Sequence, residues 1–337
     1  MINYRSDTFT KPSPGMKEAM FNAEVGDDVF GEDPSVNELE SIAANMFSME
    51  AALFCPSGTM TNQIAIKCHT QPGDEVICDK VSHVYIYEGG GIAFNSSAQV
   101  RALDGERGRL TATLVAAAVN SDDIHKPPST LVCLENTANR GGGSCYDFHE
   151  FQAIKEVCKE NKMNLHLDGA RLFNALVAKN ETPKQYGELF DSISICLSKG
   201  LGAPVGSLLI GNKQFIKKAR RIRKVFGGGM RQAGFLAAAG IYALENNVNH
   251  LLIDHVHAKQ VAEALLKKEF VGKMMPVETN IIIFEVINTY TPVTLTSELA
   301  KHGIQVVAIS ATQVRMVFHL DISKEDIAKT IDVIDNL

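Results

Sequence analysis

No stretch of this sequence approaches the ~20 consecutive apolar residues that a bilayer-crossing helix needs, so no membrane partner is expected. The opening residues, Met1-Ile-Asn-Tyr-Arg-Ser-Asp, hold neither an apolar core nor a cleavage pattern. No signal peptide is expected there, which makes the cytoplasm the expected compartment. Positive charge is also short: 33 Lys and Arg stand against 39 Asp and Glu, a net charge of -6. That balance argues against a nucleic-acid partner, which calls for a basic face. Seven cysteines are present, an odd number with no Cys-x-x-Cys pair. They exclude a zinc ribbon or a disulfide framework and read as buried thiols in a reducing compartment. Internal repeats and low-complexity segments are absent.

What remains is ordinary globular composition, 45% hydrophobic and 21% charged over 337 residues. That length suits a large domain plus a smaller one. Short apolar runs alternate with amphipathic ones: strands at Ala51–Cys55, 75–78, 130–134, 164–167, 192–197 and 207–210, helices at 60–69 and 148–161. This pattern predicts an α/β domain with a mostly parallel sheet sandwiched by helices. A long helical stretch over 234–266, with a break near 246–249, then leads to strands at 280–286, 305–308 and 314–319. A last helix follows over 323–337 with Ser323 as its cap. The expected division is residues 1–247 for the large domain and 248–337 for a small α+β domain.

Three strand ends carry chemistry. Ser192-Ile-Ser-Ile-Cys-Leu-Ser198-Lys199 brings a lysine to the carboxyl edge of a sheet, where open α/β folds bind ligands. Such an amine either caps the strand at the surface or attacks an aldehyde. The following glycines, Gly200, Gly202 and Gly206, have the wrong spacing for a dinucleotide loop. Asn164-Leu-His-Leu-Asp168-Gly ends a second strand on an aspartate. Asp-Gly is a common turn, but a carboxylate there also keeps a pyridinium nitrogen protonated. His166 and Asp168 have too few companions for a metal site, and none is expected. Ser57-Gly58-Thr59 opens a helix, as an N-cap and as a cradle for phosphate. His83, after another strand, can serve structure, stack on an aromatic ring or exchange a proton. Aldehyde, pyridine and phosphate together describe pyridoxal 5'-phosphate. The spacing of about 30 residues from Asp168 to Lys199 suits one intervening strand–helix unit.

The chain resembles the low-specificity L-threonine aldolases, pyridoxal-phosphate enzymes with the aspartate-aminotransferase-like fold. The resemblance covers nearly its whole length. It is carried by Arg5-Ser-Asp-Thr8, by the run from Gly26 to Pro34, and by Ser57-Gly-Thr59, Asp122-Asp-Ile-His125 and Leu134-Glu-Asn-Thr137. It continues in His166-Leu-Asp-Gly-Ala-Arg171, Ser198-Lys-Gly-Leu-Gly202, Pro204-Val-Gly-Ser207 and Gly227-Gly-Gly-Met-Arg-Gln232. It implies retro-aldol cleavage of a β-hydroxy-α-amino acid, such as L-threonine or L-allo-threonine, into glycine and an aldehyde. By the same resemblance Lys199 holds the cofactor as a Schiff base, Asp168 pairs with the ring nitrogen, His83 stacks on the ring, and Gly58 and Thr59 hold the phosphate. Ser57, Ser198 and Arg171 complete the cofactor set. Ser6, Arg171 and Arg315 become a clamp for the substrate carboxylate, and His83 and His125 are the two candidate bases. Lys224 and Arg231 become phosphate contacts across a subunit interface, in a homotetramer built as a dimer of dimers. β-Elimination or racemisation on the same scaffold is the alternative chemistry. Two residues depart from the family pattern: Phe30 replaces a common tyrosine and Ala138 a common histidine.

Overall fold

A computed structural model describes residues 1–337. A two-residue strand, β1 (Ile2–Asn3), begins the chain. Seven strands then form the main sheet: β2 (Ala51–Cys55), β3 (Glu75–Asp79), β4 (Gln99–Leu103), β5 (Ser129–Glu135), β6 (Asn164–Gly169), β7 (Ser192–Cys196) and β8 (Ser207–Gly211). Their spatial order is β2-β8-β7-β6-β5-β3-β4. Every neighbouring pair is parallel except those involving β8, which runs against both β2 and β7. The expectation of a mostly parallel sheet under helices holds, with one reversed strand.

Alternation along each strand explains why both faces are covered. Ala52 and Phe54 of β2 and Val132 and Leu134 of β5 enter the largest core, packed under the helices Pro34–Met46, Phe148–Glu160 and Gly234–Asn246. Leu53 and Cys55 point the other way, into a core shared with the helices Gly58–His69 and Lys213–Val225. Leu131 and Cys133 do the same in a core with Ile66 and Val84. All seven cysteines are buried free thiols.

The long helical stretch divides where Asn246-Asn247-Val248-Asn249 interrupts it, into Gly234–Asn246 and Leu251–Leu265. The second helix joins two cores: Leu251 belongs to the large one, Ala258 and Val261 to the C-terminal one. That C-terminal unit holds an antiparallel sheet of β9 (Val271–Met274), β10 (Ile281–Val286), β12 (Val307–Ala308) and β13 (Gln313–Val317). The run expected as one strand over 305–308 is two: β11 (Ile304–Gln305) pairs with β1, and only β12 joins the small sheet. Ile2 and Tyr4 therefore pack in the C-terminal core although they begin the chain. Ser323 caps the last helix, Lys324–Asp335, by accepting from Asp326 N–H. No helix is long and apolar enough to cross a membrane.

Candidate active site

Strand order reverses at β3, since β4 lies on one side of it and β5 on the other. The carboxyl ends of the strands next to such a reversal form a crevice. In this sheet the cavity at the carboxyl edge is lined from the loops after β2, β3, β6 and β7, and so reaches well beyond β3 and its neighbours. Ser57, Gly58, Thr59, His83, Asp168, Ser198 and Lys199 line one cavity there, together with Asn62, Ala170 and Cys196. The sequence spreads these groups over more than 140 positions, and the sheet gathers them at one edge.

Each is held by a local device. Ser57 caps the helix Gly58–His69 by accepting from Met60 N–H at 3.2 Å, which leaves the N–H groups of the first turn facing the cavity. Gly58 is required there, because a Cβ would lie 2.5 Å from Cys196 Sγ. Asp168 ends β6 fully in the interior. Its Oδ1 accepts from Ala170 N–H at 3.1 Å and its Oδ2 from Asn62 Nδ2 at 2.9 Å. Asn62 is oriented in turn: its Oδ1 faces His166 Nε2 at 3.2 Å, and His166 Nδ1 faces Ser192 Oγ at 2.8 Å. Burial lowers His166 to about 4, so at neutral pH it is an uncharged link in this chain. Glu135 stands beside Asp168 in register on β5. Burial and then the Asp168 charge push Glu135 up to about 7, against backbone N–H bonds from His83 (2.8 Å) and Asn139 (2.9 Å).

The three residues expected to clamp a substrate carboxylate, Ser6, Arg171 and Arg315, are each engaged by the protein itself. Arg171 is buried and meets Asp7 through Nε and Nη2, both at 2.7 Å, a bidentate pair. Burial alone would raise Asp7, but the Arg171 charge and hydrogen bonds override it and hold Asp7 at about 2. The turn carrying Asp7 is tied to the lysine loop by Thr10 Oγ1, 3.0 Å from the Lys199 carbonyl. Ser6 caps that turn, accepting from Thr8 N–H and Oγ1–H. Arg315, on β13, donates to Asn139 Oδ1 (2.8 Å) and to the Arg5 carbonyl (3.0 Å), while its buried Nε has no partner. Burial first, and then repulsion from Arg171, lower Arg315 to about 10.

Ser6, Arg171 and Arg315 are not part of the cavity lining itself, and three further expected residues stand away from it within one chain. His125 is on an exposed loop and bonds to Asp123 at 2.9 Å. Lys224 lines a separate basic hollow with Lys217, Arg220 and Arg221. Arg231 pairs with Asp27 at 2.9 Å. Conversely, sequence reasoning passed over Asn62, Asp7, Glu88 and Glu135. Asp7 and Glu135 lie within motifs that carry the family resemblance, and Asp7 directly follows Ser6. Asn62 and Glu88 carry no local signal and are found only through their contacts.

Comparison with known proteins bears on this arrangement. Residues 3–289 match the family model described as Beta-eliminating lyase. A low specificity L-threonine aldolase of Escherichia coli K12 is 44% identical over 330 residues, covering 98% of this chain and 97% of its own. A probable low-specificity L-threonine aldolase 2 of Arabidopsis thaliana is 42% identical, covering 97% of this chain and 94% of its own. The chain belongs to the beta-eliminating lyase family, among the low-specificity L-threonine aldolases. Its fold superposes on a Leishmania major threonine aldolase with a TM-score of 0.87 at 21% identity, covering 100% of this chain and 99% of that one. Members of this family are lyases, and pyridoxal phosphate is the cofactor that the site fits. Lys199 and Asp168 line one cavity together with a helix N-terminus at Gly58, where an added Cβ would press on Cys196 Sγ. Of the two departures from the family pattern, Phe30 is largely exposed and Ala138 is buried in the turn that pairs with Ser144.

Proposed function

We propose that this chain cleaves β-hydroxy-α-amino acids, L-threonine and L-allo-threonine among them, into glycine and an aldehyde, with pyridoxal 5'-phosphate bound in the cavity at the sheet edge. The convergence of Lys199, Asp168, His83 and the Ser57–Thr59 helix start on that cavity carries the reading. When bound, the cofactor supplies an electron-poor pyridinium that takes up the electron pair left at Cα. Lys199 would hold the cofactor through its aldehyde carbon. Asp168, kept in place by Asn62 and Ala170, retains a proton on the ring nitrogen. Gly58, Thr59 and Ser198 bind the phosphate end. The unpartnered Nε of Arg315 and the remaining amino group of Arg171 bind the substrate carboxylate, with Ser6 beside them. They thereby hold Cα–Cβ in the orientation that weakens it. His83 is the base for the β-hydroxyl, because it alone of the two histidines lines the cavity.

The exposed positions of His125, Lys224 and Arg231 suit groups that complete a neighbouring subunit's site in a homotetramer. The buried, unpaired cysteines suit a cytoplasmic location. Purified protein should release acetaldehyde and glycine from L-threonine, and Lys199→Ala should be colourless and inactive. Absence of acetaldehyde from the yellow wild-type protein refutes the reading. The family description favours β-elimination as the second chemistry. Ammonia and a 2-oxo acid in place of glycine would establish it.

A further inference from the structure

The loop after His83 ends in Glu88-Gly89-Gly90-Gly91. Gly89 and Gly90 take φ of 62° and 71°, and a Cβ on Gly91 would lie 2.5 Å from the Gln63 side chain. Three glycines thus fold the loop tightly onto the helix Gly58–His69 and drive Glu88 inward. Its side chain is completely buried. Its Oε1 accepts from His83 Nδ1 at 2.8 Å and Asn62 Nδ2 at 2.9 Å, and its Oε2 from Gln63 Nε2 at 2.6 Å. Three donors converge on two oxygens. A glutamine here would bring N–H groups into a cluster of donors, so the position calls for an anion.

Two consequences follow for the cavity. To donate to Glu88, His83 must carry its proton on Nδ1, which leaves Nε2 as a free acceptor on a partly exposed ring. Asn62 gives Asp168 a second bond from the same amide nitrogen that it gives Glu88. Atoms of His83, Glu88 and Asp168 consequently all lie within 4.8 Å of one another.

We propose that Glu88 is a positioning residue for the cleavage reaction: it holds His83 in the Nδ1–H form with Nε2 aimed at the β-hydroxyl, and through Asn62 it fixes that base relative to Asp168. The proposal rests on the aldolase reading above. In the step it serves, Nε2 accepts the hydroxyl proton and the O–H electron pair becomes the carbonyl π bond of the aldehyde. The Cα–Cβ pair stays with Cα, which is then protonated to give glycine. The charged and titratable groups facing His83 are Glu88, Asp168, Lys199 and the Tyr87 ring at 5.8 Å, with Glu135 at its backbone N–H. Burial works against the imidazolium, but the Glu88 bond and the two carboxylates outweigh it and leave His83 above its ordinary value.

The test uses holoenzyme labelled with ¹⁵N-histidine. Wild type should show His83 as the Nδ1–H tautomer. Glu88→Gln should lower its pKa and move the acid limb of the kcat–pH profile to lower pH. On L-threonine, Glu88→Gln should lower kcat about 10- to 100-fold with KM within about 3-fold. In a His83→Ala background the same change should cost less than about 2-fold, since a group that acts through another is silent without it. An Nε2–H tautomer in wild type, or additive losses in the double variant, overturns the proposal. If Glu88→Gln does not fold, the wild-type tautomer alone decides. A wild-type protein with Nδ1–H His83 but no acetaldehyde release sinks the aldolase reading while upholding the Glu88–His83 arrangement.

Discussion

Replacing Asp7 by asparagine keeps the side chain's shape and removes its charge from the bidentate pair with Arg171. Both partners are buried, at 0% and 7% exposure, so little solvent is available to compensate. Two magnitudes bear on the outcome. The depression of Asp7 from 3.8 to about 2 corresponds, at ~1.4 kcal/mol per pH unit, to roughly 2 kcal/mol of stability carried by its ionisation. The larger effect is the guanidinium left in the interior without a counter-charge, which costs about 3–5 kcal/mol in comparable buried pairs. Asp7→Asn is therefore expected to destabilise by about 3 kcal/mol at neutral pH, read as a lower urea midpoint. The acid response supplies a second reading. A depressed carboxylate contributes fully above the unfolded value and loses that contribution as pH falls through the folded one. Wild type should shed its roughly 2 kcal/mol between pH ~4 and ~2, and Asp7→Asn should lack that component. Replacing both residues with apolar ones, Asp7→Leu with Arg171→Met, should recover most of the stability but not the activity. A loss below about 1 kcal/mol for Asp7→Asn, the range of an exposed pair, would refute the reasoning.

Two further outcomes are expected. Gly58→Ala should weaken cofactor binding, followed by absorbance during dialysis, because the new methyl group meets Cys196 Sγ at 2.5 Å; adding Cys196→Ala should restore part of the affinity, and no restoration would remove that contact as the cause. Asp254, buried on the helix Leu251–Leu265 with Oδ2 unpartnered, is raised by burial, and then by the Asp7 charge, to about 8. A carboxylate raised above its unfolded value costs more stability as pH climbs from ~4 to ~8. Asp254→Asn should thus stabilise by a few kcal/mol (order of magnitude) at pH 8, with the gain shrinking toward pH 4; a pH-independent gain would point to packing instead.

The parts of this structure legible in the sequence are those set by local pattern. Buried strands such as Leu131–Leu134 and Ile193–Ile195 announce themselves as apolar runs, and Ser57 and Ser323 as caps. The edge strand Gln99–Leu103 does not, because its half-exposed face mixes Gln, Arg and Ala with apolar residues. Val271–Met274 is short and contains a glycine, and Ile304–Gln305 takes its identity from a partner three hundred residues away. Several residues that line the cavity were legible for the same reason as the strands: Ser57, Asp168 and Lys199 sit where an apolar run stops. Asn62 and Glu88 were not, since a helix-interior asparagine and a loop glutamate acquire meaning only when the fold brings them together. The pair Asp7–Arg171 shows the limit on the substrate side. The sequence suggests the arginine as a ligand for a carboxylate, but that the carboxylate it meets here is the protein's own is a matter of three-dimensional packing.

The pairing of Ile2–Asn3 with Ile304–Gln305 also sets an order of events during synthesis. A ribosome making roughly 5–20 residues per second needs roughly 15–60 s to reach the partner strand, and until then the first residues have no sheet to join. Asp7 lies only a few residues beyond that strand, so the segment that carries it lacks its strand partner until nearly the whole polypeptide has emerged. The sheet carrying Asp168 and Lys199 is complete in sequence by Gly211 and needs neither of those strands. A nascent chain released before about residue 305 would therefore carry its first residues with no strand to pair with.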